Sequence, residues 1–290
     1  MNRPHRLWKA SLAAAAAVFS LSAYSADWSD TNLGWRYGTK FAEPGNPGDI
    51  GKNIFSLEHV SGYKYGVNFF NADLLISDGK DPAAPGAGSG SGGAHEVYVV
   101  YRHTLDIGKV LGKDLGTPGI VRGYGLVAGF DFNSKDDPFG ARKRMLVVGP
   151  AVMFDVPGFL QFSVLFAKEK NHTQFTPAPG YSHDASFKGN NIFDLAWGIP
   201  FTVAGLPLKF QGYFDFETAK GKDYFGADTK PETHTDVALM LDVGAVAGSA
   251  KNTFLVGVEY EYWKNKFGND PALLPGTLAK TPMLRVEYHF

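Results

Sequence analysis

Residues 255–262 read Leu-Val-Gly-Val-Glu-Tyr-Glu-Tyr, so that apolar and polar side chains alternate along the segment. Every even position holds Val or Tyr, whereas the odd positions from 257 to 261 hold Gly or Glu. Because successive side chains of a strand point to opposite faces, this period of two predicts a strand with one apolar and one polar face. The same division runs along residues 208–217 and 284–290.

Segments of this kind recur along the whole chain after residue 31. We place twelve predicted strands at 32–41, 53–62, 66–77, 95–104, 119–133, 143–155, 158–169, 186–198, 207–218, 234–246, 252–264 and 281–290. The connections between them are alternately long and short, which is typical of outer-membrane barrels. The connection at 105–118 departs from this rhythm, and the spacing of Ile107, Val110 and Leu111 after Asp106 predicts a short helical turn there.

The start of the chain has the composition of an export signal. Arg3, Arg6 and Lys9 precede an apolar run at 12–21, and small residues follow it. This pattern predicts a cleaved signal peptide at 1–25 and a single β-barrel domain at 26–290. Loss of the three cations would change the formal net charge from −1 to −4, which argues against a nucleic-acid polymer as partner. The chain has no cysteine, so disulfides do not hold it together.

These features together predict an all-β protein, a transmembrane antiparallel up-and-down β-barrel of about 12 strands in the outer membrane of a Gram-negative bacterium. The apolar strand faces would meet lipid and the polar faces would line the lumen. A soluble β-sandwich would show the same alternation with the faces inverted. The terminal Phe290, with Tyr288 two residues before it, resembles the signal by which outer-membrane barrels engage their assembly machinery, and it favours the membrane interpretation.

One hairpin carries a more specific resemblance. Residues 57–74 read Leu-Glu-His-Val-Ser-Gly-Tyr-Lys-Tyr-Gly-Val-Asn-Phe-Phe-Asn-Ala-Asp-Leu, which resembles the early hairpin of the nucleoside-specific channel-forming family (Tsx-like). The resemblance implies twelve strands and a narrow, monomeric channel for small solutes. It further implies that nucleosides are bound in the lumen by aromatic stacking and polar contacts. No cofactor and no metal are implied; the expected partners are outer-membrane lipids, the assembly machinery and small-molecule solutes.

Alternation along the second strand of this hairpin suggests a binding strip. If Phe70 faces lipid, then Phe69, Asn71 and Asp73 point into the lumen, where Glu58 of the preceding strand joins them. Aromatic faces stack on bases, and carboxylates and amides bond to ribose hydroxyls. The alternative is that these residues only fill the lumen, paired with arginines at 102, 122 or 285.

Two other function classes stay open at this point. A structural or adhesin-type barrel without transport would have a lumen plugged by bulky residues. A barrel lipid hydrolase would need a serine and a histidine near the lipid-facing rim. Ser61 with His59 could supply them, as could Ser163 or Ser182 with His183. We expect no enzymatic activity, because no neighbouring sequence resembles a phospholipase signature. Seven aromatic residues fall near predicted strand ends, as members of the aromatic girdles at the bilayer interfaces would, although packing alone also accounts for each of them: Trp197, Phe201, Tyr213, Tyr224, Phe225, Trp263 and Phe267.

Overall fold

A computed structural model describes residues 26–81 and 93–290, so the predicted signal peptide and most of the 78–94 connection lie outside the described residues. The described residues form thirteen strands in one sheet. The strands are β1 (Trp28–Phe41), β2 (Ile50–Tyr63), β3 (Gly66–Ser77), β4 (His95–Asp106), β5 (Val121–Lys135), β6 (Arg144–Phe154), β7 (Phe159–His172), β8 (Asp184–Ser186), β9 (Asn190–Val203), β10 (Leu206–Glu217), β11 (Glu232–Asp242), β12 (Phe254–Lys264) and β13 (Leu278–His289).

The sheet closes on itself because β1 pairs with both β2 and β13. Trp35, for example, lies opposite Phe55 on one side and Val286 on the other. Every neighbouring pair around the barrel is antiparallel, while the three-residue β8 pairs only with β7. Closure satisfies the backbone hydrogen bonds without leaving an edge, as a membrane-spanning sheet requires. The prediction of an up-and-down barrel with twelve spanning strands is confirmed, and a sandwich of two packed sheets is excluded.

The two ends of the barrel differ in the length of their connections. Short turns at 64–65, 155–158 and 204–205 lie at the end where the last strand also finishes. We assign this end to the periplasm, since outer-membrane barrels have short periplasmic turns and longer extracellular loops. Two short helices lie there as well: α1 (Ile107–Leu111) and α2 (Val243–Val246).

Helix α1 is the helical turn predicted from the sequence. The Asp106 carboxylate accepts a hydrogen bond from the backbone N–H of Lys109 at 3.0 Å and so caps the helix. Gly112 ends it with a left-handed backbone, φ 63°. None of the helices in the described part of the chain is long and apolar enough to cross a bilayer.

The outer and inner faces of the barrel have opposite chemistry. Outward side chains are large, apolar and exposed, as at Leu146 (68%) and Val258 (58%), whereas the neighbouring inward Glu259 is buried. Tyr288 and Phe290 also point outward and are exposed. A folded soluble protein would not present such a band to water, but lipid covers it without cost.

One sector of the inner wall is apolar. It consists of small or medium side chains from β5, β6, β7 and β9, all buried: Val127, Met145, Val147, Ala151, Leu165, Ala167 and Ile192. Gly149 lies in the same wall, where an added Cβ would come within 1.9 Å of the Val164 carbonyl oxygen. The side chains of this sector are buried, and charged residues of the same strands, such as Asp131 and Glu169, lie beside it.

Candidate functional site in the barrel lumen

Ion pairs cross the lumen between β1, β3, β12 and β13. Arg36 contacts Asp73 at 2.5 Å and Glu259 at 3.3 Å. Arg285 contacts the same Glu259 at 2.7 Å and Glu287 at 2.6 Å. Arg36 and Arg285 are register partners on β1 and β13, and both guanidinium groups reach Glu259 on β12. Glu259 thereby joins β12 to β1 and β13, and Asp73 joins β3 to β1 through Arg36.

A second set of charged groups continues around the inner wall. Arg102 of β4 contacts Asp131 of β5 at 2.6 Å, and the Tyr98 hydroxyl donates to the same aspartate at 3.1 Å. Asp194 and Asp215 are register partners on β9 and β10. With Asp236 of β11, these groups complete what we call the central belt, namely Arg36, Asp73, Arg102, Asp131, Asp194, Asp215, Asp236, Glu259 and Arg285. The belt holds twice as many carboxylates as guanidinium groups.

The four predicted binding residues all lie on the inner face and are half-buried. Glu58 is the register partner of Asn71, while Phe69 and Asp73 lie two residues to either side of Asn71 along β3. The Glu58 carboxylate accepts a hydrogen bond from Asn32 at 3.2 Å. The structure therefore brings the strip together, and its role in binding stays a prediction.

The three arginines expected to pair with this strip form their hydrogen bonds and ion pairs with other groups. Asp73 pairs with Arg36, which the sequence interpretation did not consider. Arg102 and Arg285 hold other carboxylates, and Arg122 lies at the periplasmic end, where it donates to the carbonyl oxygens of residues 156 and 158. The expectation failed because Arg36 and Asp73 lie on β1 and β3 and are brought together by the register of both strands with β2, in which Ser56 lies opposite Gly34 and Asp73.

An aromatic stack lies in the lumen towards the extracellular end. The rings of His234 and Trp263 are parallel within 13° and 4.0 Å apart. The Tyr213 hydroxyl lies 3.0 Å from the His234 ring, and the Trp263 indole donates to Glu232 at 3.2 Å. The assignment of Tyr213 and Trp263 to the outer girdle is therefore wrong. The alternation of polar and apolar side chains along β10 and β12 indicates the inward position correctly, because both residues share a strand face with acidic residues.

The extracellular mouth is closed on one side by a buried cluster of lysines around Glu43. The Glu43 carboxylate contacts Lys52 at 2.5 Å, Lys266 at 3.3 Å and Lys135 at 3.4 Å. Lys135 also contacts Asp81 at 3.1 Å. Burial by itself raises the pKa of Glu43, but the three ammonium groups outweigh it and hold this pKa well below its ordinary value. The β1–β2 loop is thus anchored across the mouth by charge.

The pair of Ser61 and His59, considered for a lipid hydrolase, lies outside the lumen. His59 and Ser61 face outward on β2, and the His59 ring contacts the Thr31 hydroxyl at 2.7 Å. At the extracellular end of β7, the His172 ring contacts Asp184 of β8 at 2.8 Å. No group of three or more metal-ligating side chains occurs among the described residues.

The sheet is closed, its outer wall is apolar and its inner wall is charged, which is the architecture of a barrel that spans the outer membrane. The chain is an outer-membrane β-barrel. No protein-family model matches the sequence, and comparison with curated proteins finds no relative. No sequence comparison therefore supports the Tsx-like resemblance.

Several solved barrels are similar in overall architecture. The translocator domain of the autotransporter NalP from Neisseria meningitidis is 12% identical, with a TM-score of 0.47, 97% of this chain covered and 96% of that one. The NanC porin is 9% identical, with a TM-score of 0.47 and coverage of 90% and 99%. The KdgM porin is 9% identical, with a TM-score of 0.40 and coverage of 89% and 99%. Likeness at this level assigns no substrate.

Proposed function

We propose that this barrel is a narrow outer-membrane channel for small solutes. The observation that carries the proposal is the charged inner wall formed by β1–β5 and β9–β13, part of which stays accessible. Arg36, Asp73 and Arg102 keep part of their side-chain surface accessible inside the barrel. Such surface can bind water and polar solutes, whereas an apolar filling would exclude both.

The charge of the central belt favours cations and neutral polar solutes over anions. The belt contains six carboxyl groups and three guanidinium groups, so oxygen ligands for a cation outnumber the groups that would bind an anion. Rings of carboxylates at a constriction lower the energy of a permeating cation and raise that of an anion. The channel is therefore expected to be cation-selective.

Nucleosides are our preferred substrates within this class, and this choice rests on the resemblance of residues 57–74. It is supported by the placement of Glu58, Phe69, Asn71 and Asp73 on one accessible inner surface. Phe69 offers a ring face for a base, and the polar groups offer partners for ribose hydroxyls. We assign no catalytic residue and no cofactor, and we take the functional unit to be a monomer.

A second candidate is a barrel that serves as a structural or adhesive element without transport. The observation that favours it is the packing of the lumen: the apolar wall of β5–β9 is buried, and the Glu43 cluster covers part of the mouth. A lumen sealed in this way in the membrane would not conduct.

Single-channel recording separates these candidates. The purified, refolded chain would be inserted into a planar lipid bilayer, and adenosine would be titrated with glucose as control. Small discrete steps that adenosine blocks in a saturable way would support the nucleoside channel. Steps indifferent to adenosine would retain the channel and remove the substrate assignment. A heat-modifiable, folded barrel that gives no steps would favour the second candidate.

A further inference from the structure

The periplasmic connection between β4 and β5 exposes apolar side chains although it is firmly structured. Ile107, Val110 and Leu111 of α1 are exposed, as is Ile120 just before β5, with Leu111 at 58% and Ile120 at 62%. The capped helix and a hydrogen bond from Asp155 N–H to the Ile120 carbonyl (3.2 Å) fix this connection to the barrel. Ordered apolar groups left uncovered at a surface indicate a contact with something apolar.

Lysines surround these apolar groups. Lys109 and Lys113 belong to the same connection, and Lys64 lies in the adjacent β2–β3 turn. The backbone N–H of Asp106 donates to the Tyr65 carbonyl at 2.8 Å and joins the turn to the start of α1. Within the described ranges, none of the three ammonium groups forms an ion pair with a carboxylate. Their charge is therefore available to an anion from outside the protein.

Directly above the turn, the outer wall carries a network of polar side chains. The His103 ring contacts the Tyr63 hydroxyl at 3.1 Å and Asn68 at 2.9 Å, and the Tyr101 hydroxyl donates to Asn68 at 2.9 Å. Side chains that donate hydrogen bonds are unfavourable in hydrocarbon but suit the headgroup region. The height of this network in the wall thus matches the periplasmic headgroups.

We propose that these elements form a binding surface for anionic phospholipids of the periplasmic leaflet. We call it the periplasmic patch, comprising Lys64, Lys109, Lys113, the four exposed apolar residues of 107–120 and the Tyr63–His103 pair. The apolar side chains would insert among acyl chains while the lysines contact phosphates, as in interfacial amphipathic segments. The patch is continuous with the lipid-facing band through exposed Leu126 of β5. That continuity favours lipid over a soluble partner or a second copy of the chain.

The test is lipid retention in nanodiscs containing phosphatidylcholine and phosphatidylglycerol. The refolded chain would be released from the discs, and the lipids still bound would be counted by native mass spectrometry. The variant Lys64→Gln/Lys109→Gln/Lys113→Gln is compared with Lys222→Gln/Lys230→Gln, which removes two exposed lysines at the extracellular end. We expect the preference for phosphatidylglycerol to fall by about fivefold for each periplasmic lysine removed, and to be unchanged in the control.

Other outcomes would overturn the proposal. Equal retention of phosphatidylglycerol by the triple variant and the wild type would show that the patch does not bind anionic lipid. Displacement of the lipid by inorganic phosphate at constant ionic strength would indicate a phosphate site rather than a lipid surface. A stable dimer in the same spectra, lost in the triple variant, would assign the patch to a second copy. Heat-modifiability on gels verifies that each variant is folded, and single lysine variants replace the triple one if it is not.

Discussion

Replacing Glu43 by Gln tests whether the charge cluster holds the extracellular mouth. The substitution keeps the shape of the side chain and removes the one carboxylate that three buried lysines share. Lys135 retains its contacts with Asp81 and Asp137 at 3.1 and 3.4 Å. Lys52 and Lys266 form their ion pairs within the described residues with Glu43 alone.

The expected loss of stability in Glu43→Gln follows from this difference between Lys135 and the other two lysines. Removing one partner of a buried ion pair costs about 3–5 kcal/mol, because the remaining charge is left buried and uncompensated. Two ammonium groups lose their carboxylate here, so we expect Glu43→Gln to lie in the upper part of that range. The double variant Glu43→Gln/Lys52→Met should recover part of the loss, since it removes one of the stranded charges.

The assay is urea unfolding of the refolded barrel in detergent micelles. Asp49→Asn is the matched control, because it removes the same charge from an exposed position of the same loop. The pKa of Glu43 is lowered by folding, so its stabilisation is present above the ordinary glutamate pKa and is lost as the pH falls through the lower folded value. The difference in free energy of unfolding between wild type and Glu43→Gln should therefore decrease only in strongly acidic buffer. A Glu43→Gln midpoint equal to that of Asp49→Asn would refute the reasoning.

Three further predictions concern the lumen and its wall. Asp73→Asn should lower the cation preference of the channel, and Arg36→Gln should raise it. The two variants should therefore shift the reversal potential in opposite directions. Shifts of the same sign would contradict the claim that the charges of the central belt set the ion selectivity. Phe69→Ala should weaken block by adenosine by about 1–3 kcal/mol, the value of a lost base stack, whereas Phe70→Ala on the outer face should leave the blocking constant unchanged. Gly149→Ala should destabilise the barrel by about 1–3 kcal/mol in urea unfolding, because its methyl group would meet a backbone carbonyl of β7; wild-type stability would rule out that close approach.

The strands and their order could be predicted from the sequence because alternation and turn length are local properties. The twelve predicted segments correspond to the twelve spanning strands, with differences of a few residues at their ends. The three-residue β8 was missed, since a segment that short shows no period. The turn at α1 was predicted because a capping Asp106 and three spaced apolar residues lie close together in the sequence.

The contacts inside the barrel could not be predicted in the same way. The pairing of Arg36 with Asp73 depends on the register of β1 and β3 with β2, which no local pattern specifies. The Glu43 cluster joins a loop to lysines from β2, β5 and the β12–β13 connection, far apart in sequence. Trp263 is a different case, because its strand face was readable from alternation and only its position near a strand end suggested the membrane interface.

The reversal potential of the wild-type channel in a salt gradient tests the central claim most directly. Potassium chloride would be placed at unequal concentrations on the two sides of a planar bilayer that contains the refolded chain. We predict discrete currents whose reversal potential has the sign expected for cation selectivity. A reversal potential with the sign of anion selectivity, or a folded barrel without any current, would contradict a channel lined by the acidic central belt.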